Sequence, residues 1–127
     1  MLCISVKKFL CWKKKQLIKG GDIQTFAFLL ESLGGISNSD LNLHCLNSKG
    51  NLNLKKNLEY LESIWDDHLF NSSPIQYSCG IAFWRNLKLE VTDKVLIPRP
   101  ETELIIDIVF KIFGKQSQKL FFVELGT

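Results

Sequence analysis

The chain has little of what marks metal-binding, secreted or membrane-spanning proteins. Its 127 residues include four cysteines, three prolines and one methionine. The cysteines, at positions 3, 11, 45 and 79, form no Cys-x-x-Cys pair and have no histidine at metal-ligand spacing, which argues against zinc. No apolar run approaches the roughly 20 residues that span a bilayer. Because Lys7 and Lys8 interrupt the first apolar stretch, it does not resemble a signal peptide. We expect a cytoplasmic protein with reduced thiols, no resident metal and no membrane association.

Positive charge is concentrated at the start of the chain. The formal net charge of +3 is too small to indicate nucleic-acid binding by itself. Six lysines nevertheless precede the first acidic residue, Asp22. This run could contact RNA, a ribosome or an acidic partner, or it could be the solvated face of a helix. The second interpretation is favoured because charge runs on first helices are common and this one lacks the interleaved pattern expected for base stacking. The expected buried face of that helix consists of Val6, Phe9, Leu10, Leu17 and Ile18.

Residues 1–73 have the pattern of a small helical bundle. Asp22 lies where a helix N-cap belongs, and Gly34-Gly35 would end the helix that it begins. Residues 34–53 are rich in Gly, Asn and Ser, which predicts a loop with one short helix near residues 39–43. A longer helix is expected from about Leu54 to Phe70.

Residues 74–94 are predicted to form a β-hairpin linker. Asn71-Ser-Ser-Pro74 breaks the preceding helix, and the apolar period then changes. Residues 81–84 and 87–91 are typical of two strands, with Arg85-Asn86 at the turn.

Residues 95–127 have the pattern of the start of an α/β domain. In Pro98-Arg99-Pro100 the two prolines hold Ile97 and Arg99 extended, and Pro100 can begin a helix. The helical period continues to Gly114. The apolar run 120–123 then predicts a buried parallel strand, followed by an acid and a glycine. Taken alone, the Pro-Arg-Pro element is also consistent with a capped helix start carrying a surface arginine.

Two motifs in the second half of the chain carry a family resemblance. Residues 97–103 read Ile-Pro-Arg-Pro-Glu-Thr-Glu, and Pro74-Ile75-Gln76-Tyr77 lies upstream, followed by Gly80 and Phe83. With Glu124-Leu-Gly-Thr127, this pattern resembles the HemK/PrmC family, the release-factor glutamine methyltransferases that use S-adenosylmethionine. The resemblance implies a helical substrate-docking domain (1–73), a hairpin linker (74–94) and the start of a Rossmann-like methyltransferase domain (95–127).

The resemblance also implies roles for individual residues. Glu124, Gly126 and Thr127 match the start of the loop that holds the methionine part of S-adenosylmethionine, with Glu where Asp is usual. Arg99, Thr102 and Glu103 match the proline-rich element that borders the cofactor pocket. The helical domain is implied to dock a peptide chain release factor, and we expect a monomer.

The sequence departs from the family pattern in three respects. Residues 1–127 lack the remaining glycines of the cofactor loop, an acidic residue after a second strand to hold the ribose, and the Asn-Pro-Pro-Tyr element that holds the glutamine amide. We therefore expect a chain truncated within the cofactor loop, with no catalytic residue of its own and no activity alone. Two alternatives remain: a release-factor-binding module without catalysis, and a relative that methylates nucleic-acid amines.

Overall fold

The described part of the computed structural model comprises residues 2–37, 39–40 and 50–114, which form helices and two short antiparallel sheets. No helix in this part is long and apolar enough to cross a bilayer. The elements in chain order are β1 (Leu2–Ser5), α1 (Val6–Ile18), α2 (Ile23–Leu29), a π-helical turn (Leu30–Gly34), β2 (Asn51–Leu54), α3 (Leu58–Asn71), α4 (Ile75–Cys79), β3 (Ile81–Trp84), β4 (Leu87–Glu90), a 3-10 turn (Pro100–Thr102) and α5 (Glu103–Phe113).

The first sheet corrects the expectation of a loop up to residue 53 and a helix from Leu54. β2 pairs antiparallel with β1, with Leu54 opposite Leu2 and Asn51 opposite Ser5. Its Asn-Leu-Asn-Leu sequence alternates between exposed and buried, as expected for a strand with one covered face. The asparagines make this segment resemble a loop when its distant partner strand is unknown. The following helix therefore begins later, at Leu58.

The core lies between α1, α2 and α3, around the side chain of Trp65. This indole is fully buried and meets the Phe26 ring edge to face, with centroids 4.8 Å apart. Helix α1 buries Val6, Phe9, Trp12 and Gln16. The expected burial is confirmed for Val6 and Phe9. It is wrong for Ile18, which is 75% exposed because it lies on the opposite side of the helix from Gln16. Leu10 and Leu17 are partly buried.

The predicted helix boundaries at Asp22 and Gly34-Gly35 are confirmed. The Asp22 carboxylate accepts the Thr25 amide hydrogen at 2.8 Å, which caps α2. After the π-helical turn, Gly35 adopts φ +73°, the left-handed conformation that commonly ends a helix. Of the short helix expected near residues 39–43, the structure describes Ser39 and Asp40 as helical, and the remainder lies outside the described residues.

The predicted end of the helix near Asn71 and the predicted β-hairpin are also confirmed. Helix α3 ends at Asn71, and the carbonyl of Ser73 accepts a hydrogen bond from His68 Nδ1 at 2.7 Å. Pro74, the first residue of the Pro-x-Gln-Tyr motif, then precedes a short helix, α4, which the sequence pattern did not predict. Strands β3 and β4 pair with Ile81 opposite Glu90.

The helix expected after Pro100 is present as α5, and none of its residues is buried. The predicted strand at residues 120–123 lies outside the described residues.

Candidate functional site

The proline-rich segment has the stiff, extended backbone that its sequence predicts. Arg99 adopts φ −84° and ψ 142°, and Pro100 follows as the first residue of the 3-10 turn. The Arg99 carbonyl accepts the Thr102 amide hydrogen at 3.1 Å, which closes this turn. The Arg99 side chain is exposed and has no hydrogen-bond or ion-pair partner within the described residues. Its guanidinium is therefore available to a ligand.

The turn of the β-hairpin holds the start of α5. Arg85 donates its backbone N–H to Glu103 Oε1 and a guanidinium N–H to the Glu103 carbonyl oxygen, both at 3.2 Å. The same guanidinium nitrogen lies 2.7 Å from Asp107 Oδ1. Arg85 adopts a positive φ of 52° at the hairpin turn. The contacts join residues 18 and 22 positions apart, so a single arginine fixes the helix that carries the proline-rich motif to the linker.

A second contact joins the Pro-x-Gln-Tyr motif to the proline-rich segment. The Tyr77 hydroxyl, on α4, donates to the carbonyl oxygen of Val95 at 2.9 Å. Helix α4 is itself anchored, because Ile75 is 2% exposed in the main core. The first motif therefore contacts the chain two residues before the second motif, which the sequence could not show because Tyr77 and Val95 lie 18 residues apart.

The structure brings together three of the six predicted cofactor-site residues. Arg99, Thr102 and Glu103 lie on one turn, with Arg99 and Thr102 exposed and Glu103 half-buried. Glu103 is engaged by Arg85, so its carboxylate positions the helix. Glu124, Gly126 and Thr127 lie outside the described residues. The positioning contacts from Tyr77 and Arg85 were not predicted from sequence.

The turn presents two groups that could bind a ligand, the guanidinium of Arg99 and the hydroxyl of Thr102. A guanidinium presents several N–H donors in a planar fork that fits a carboxylate or phosphate group. Within the part of the chain that the structure describes, no group of three or more His, Cys, Asp or Glu side chains could hold a metal ion. The described turn can therefore bind a polar or anionic ligand group.

Comparison with known proteins supports the family suggested by the motifs. The chain is 37% identical over 107 residues to the release factor glutamine methyltransferase of Prochlorococcus marinus, covering 84% of this chain and 36% of that protein. It is 30% identical over 120 residues to the protein of the same name from Gloeobacter violaceus, covering 91% of this chain and 40% of that one. The chain belongs to the HemK/PrmC family.

The HemK/PrmC relatives are considerably longer than the shared segment. The chain spans between a third and two fifths of the length of these two relatives and of the release factor glutamine methyltransferase of Lactococcus lactis, of which it covers 33% at 38% identity over 92 residues. No family model and no solved structure matches the chain.

Proposed function

We propose that this chain is part of an S-adenosylmethionine-dependent methyltransferase that modifies the N5 nitrogen of a glutamine in a peptide chain release factor. Residues 1–73 would dock the release factor, and residues 95–127 would begin a Rossmann-like methyltransferase domain. Residues 74–94 would form the hairpin that links these two parts. The observation that carries this proposal is the 37% identity over 107 residues to a protein named release factor glutamine methyltransferase. A monomer in the cytoplasm is proposed with it, since release factors act in translation there.

The surface of α5 supports a domain that continues beyond this helix. Leu104, Ile105 and Ile108 are between 56% and 61% exposed, although the helix is strongly apolar on one side. An amphipathic helix of this kind is stable when another layer covers its apolar face. The sheet of a Rossmann-like domain is a layer of the required kind.

The cofactor would lie beside the Arg99 turn. In this proposal Glu124, Gly126 and Thr127 begin the loop that holds its methionine part, while Arg99 and Thr102 border the pocket. The exposed Arg99 guanidinium could pair with the cofactor carboxylate. Glu103 would act indirectly, because its carboxylate accepts the Arg85 amide hydrogen.

The reaction moves a methyl group from the cofactor sulfonium to the amide nitrogen. The S–CH₃ bond breaks and leaves its electron pair on sulfur, a N–CH₃ bond forms, and the nitrogen loses a proton. An amide nitrogen is a poor nucleophile, so its orientation in line with the methyl group matters. Asn-Pro-Pro-Tyr, which performs that task in the family, does not occur in residues 1–127. We propose that these residues alone do not transfer the methyl group.

A chimeric enzyme tests this function. The aligned segment of the Prochlorococcus marinus relative is replaced by this chain, and the product is incubated with a bacterial release factor and S-adenosylmethionine. The expected result is a gain of one methyl mass on a single glutamine-containing peptide, whereas the 127-residue chain gives none. Arg99→Ala in the chimera should raise the cofactor KM, while Lys94→Ala, a neighbouring exposed cation, should leave it unchanged.

Other outcomes favour the alternative functions. Tight binding of release factor by a well-folded chimera that neither binds the cofactor nor methylates would support a non-catalytic docking module. If the chimera methylates a nucleic-acid amine and leaves the release factor unmodified, the chain belongs to a relative that acts on nucleic acids.

A further inference from the structure

A groove of about 620 Å³ lies between α1 and α3, away from the Arg99 turn. Helix α1 lines it with Lys8, Cys11, Trp12 and Lys15, and α3 lines it with Leu58 and Glu62. The α1 residues recur three and four positions apart, so they share one helix face. The groove therefore combines an apolar floor with a basic wall.

The charge of this groove is unbalanced within the described residues. Four lysines line it, including Lys7, and Glu62 is the one carboxylate among its lining residues. That carboxylate is already paired, because Lys19 Nζ lies 2.7 Å from Glu62 Oε1 and also 2.7 Å from Asp66. Lys8 and Lys15 form no ion pair in the described part of the chain. Their charges remain available to a negatively charged occupant.

The floor of the groove favours a peptide over a nucleic acid. Trp12 is only 8% exposed and donates its indole N–H to Glu62 Oε2 at 3.3 Å, so its ring face cannot stack on a base. Gln16 is 1% exposed, and its Oε1 has no hydrogen-bond donor within the described residues. Apolar surface beside unpaired cations fits a segment with leucine-like side chains on one side and carboxylates on the other.

We propose that this groove docks an acidic amphipathic helix of a protein partner. The proposal rests on the docking role proposed for residues 1–73, which include α1 and α3, and adds the surface and the chemistry of the contact. Its test does not depend on methyl transfer. In this binding mode the apolar side chains contact the partly exposed Leu58 beside the largely buried Trp12, and the carboxylates pair with Lys8 and Lys15.

Binding is tested with a fluorescein-labelled synthetic peptide designed as a helix with leucines on one face and glutamates on the other. Fluorescence anisotropy with the 127-residue chain is expected to show saturable binding that weakens as salt rises. A peptide with the leucines replaced by serines should bind about tenfold more weakly, because the apolar contribution is lost. A peptide with lysines replacing the glutamates should not bind.

A matched pair of variants on α1 locates the site. Lys15→Glu should weaken binding about tenfold, because it places a carboxylate against the carboxylates of the peptide. Lys14→Glu makes the same change in net charge one residue away. Lys14 lines a separate hollow with Leu10, Leu17 and Ile18. Its substitution should weaken binding less than twofold, since only the long-range field changes.

Cys11 gives a second readout of the same groove. It is exposed, and a maleimide adduct on it would fill the space between α1 and α3. In a Cys3→Ser, Cys45→Ser variant, the bound peptide should slow alkylation of Cys11 at least fivefold, and the adduct should abolish binding. The proposal is overturned if the acidic peptide does not bind, if Lys14→Glu weakens binding as much as Lys15→Glu, or if single-stranded RNA binds this face and the peptide does not.

Discussion

Gly21 is a position where one added methyl group should destabilise the chain strongly. Its φ is +88°, and a Cβ placed there would lie 2.6 Å from Trp65 Cζ2 and 2.9 Å from Leu69 Cδ2. Trp65 cannot yield easily, because it is fully buried against Phe26 and donates its N–H to the Gln16 carbonyl oxygen at 3.4 Å. The Gly21→Ala change therefore combines backbone strain with a collision against the centre of the core.

The magnitude follows from these two contributions. A non-glycine residue with positive φ costs about 1–2 kcal/mol, and forcing extra atoms into a packed core costs about 1–3 kcal/mol. The free energy of unfolding should fall by about 2–5 kcal/mol, a large part of the 5–15 kcal/mol typical of domains. Gly35→Ala is the control, because its φ is +73° and its nearest neighbours are the flexible methylenes of Lys55, at 2.8 Å. Since that side chain can move aside, we expect a loss of only about 1–2 kcal/mol.

Urea unfolding followed by far-ultraviolet circular dichroism measures both variants. A double-mutant cycle with Trp65→Phe separates the two contributions, because the smaller ring lacks the Trp65 atoms that the new methyl group would meet and leaves only the end of the flexible Leu69 side chain. In the Trp65→Phe background, Gly21→Ala should cost about as much as Gly35→Ala does in the wild type. The reasoning fails if Gly21→Ala is no worse than Gly35→Ala, or if the cycle shows no coupling with Trp65.

Further predictions concern a helix cap, the hairpin turn, acid stability and a buried thiol. Asn57→Ala should destabilise the chain by about 1 kcal/mol in urea unfolding, and Asn57→Asp should not, because the Asn57 side chain caps α3 by accepting the Tyr60 amide hydrogen at 2.9 Å. Arg85→Ala should increase hydrogen exchange across α5 while leaving α1 protected, whereas an unchanged α5 would contradict the role of its contacts with Glu103 and Asp107. The Lys19 hydrogen bond lowers the pKa of Glu62, so the urea midpoint should fall as pH drops below about 4.5, and less so in Glu62→Gln. Burial raises the pKa of Cys79 to about 11. At pH 8 its alkylation should therefore be roughly a hundredfold slower than that of a free cysteine peptide, and equal rates would show that the thiol is exposed.

Local signals in the sequence predicted the elements that depend on neighbouring residues. The cap at Asp22, the stop at Gly35 and the Arg85-Asn86 turn were all identified correctly, because each depends on the backbone preferences of a few adjacent residues. The pairing of β1 with β2 was missed, since Leu2 and Leu54 meet across more than 50 residues and neither segment is a strong strand former alone.

The same distinction applies to the candidate site. The sequence singled out Arg99, Thr102 and Glu103 as candidates through their motif, and it assigned Arg85 only to a turn. Arg85 contacts Glu103 and Asp107 through side-chain geometry that no local pattern encodes. Helix α5 has no buried residue, so its orientation depends on these polar contacts and on the turn that follows Pro98-Arg99-Pro100. Exposed ion pairs contribute little stability individually. It follows that the described contacts set the direction of α5 and supply only a small part of the energy needed to hold it there.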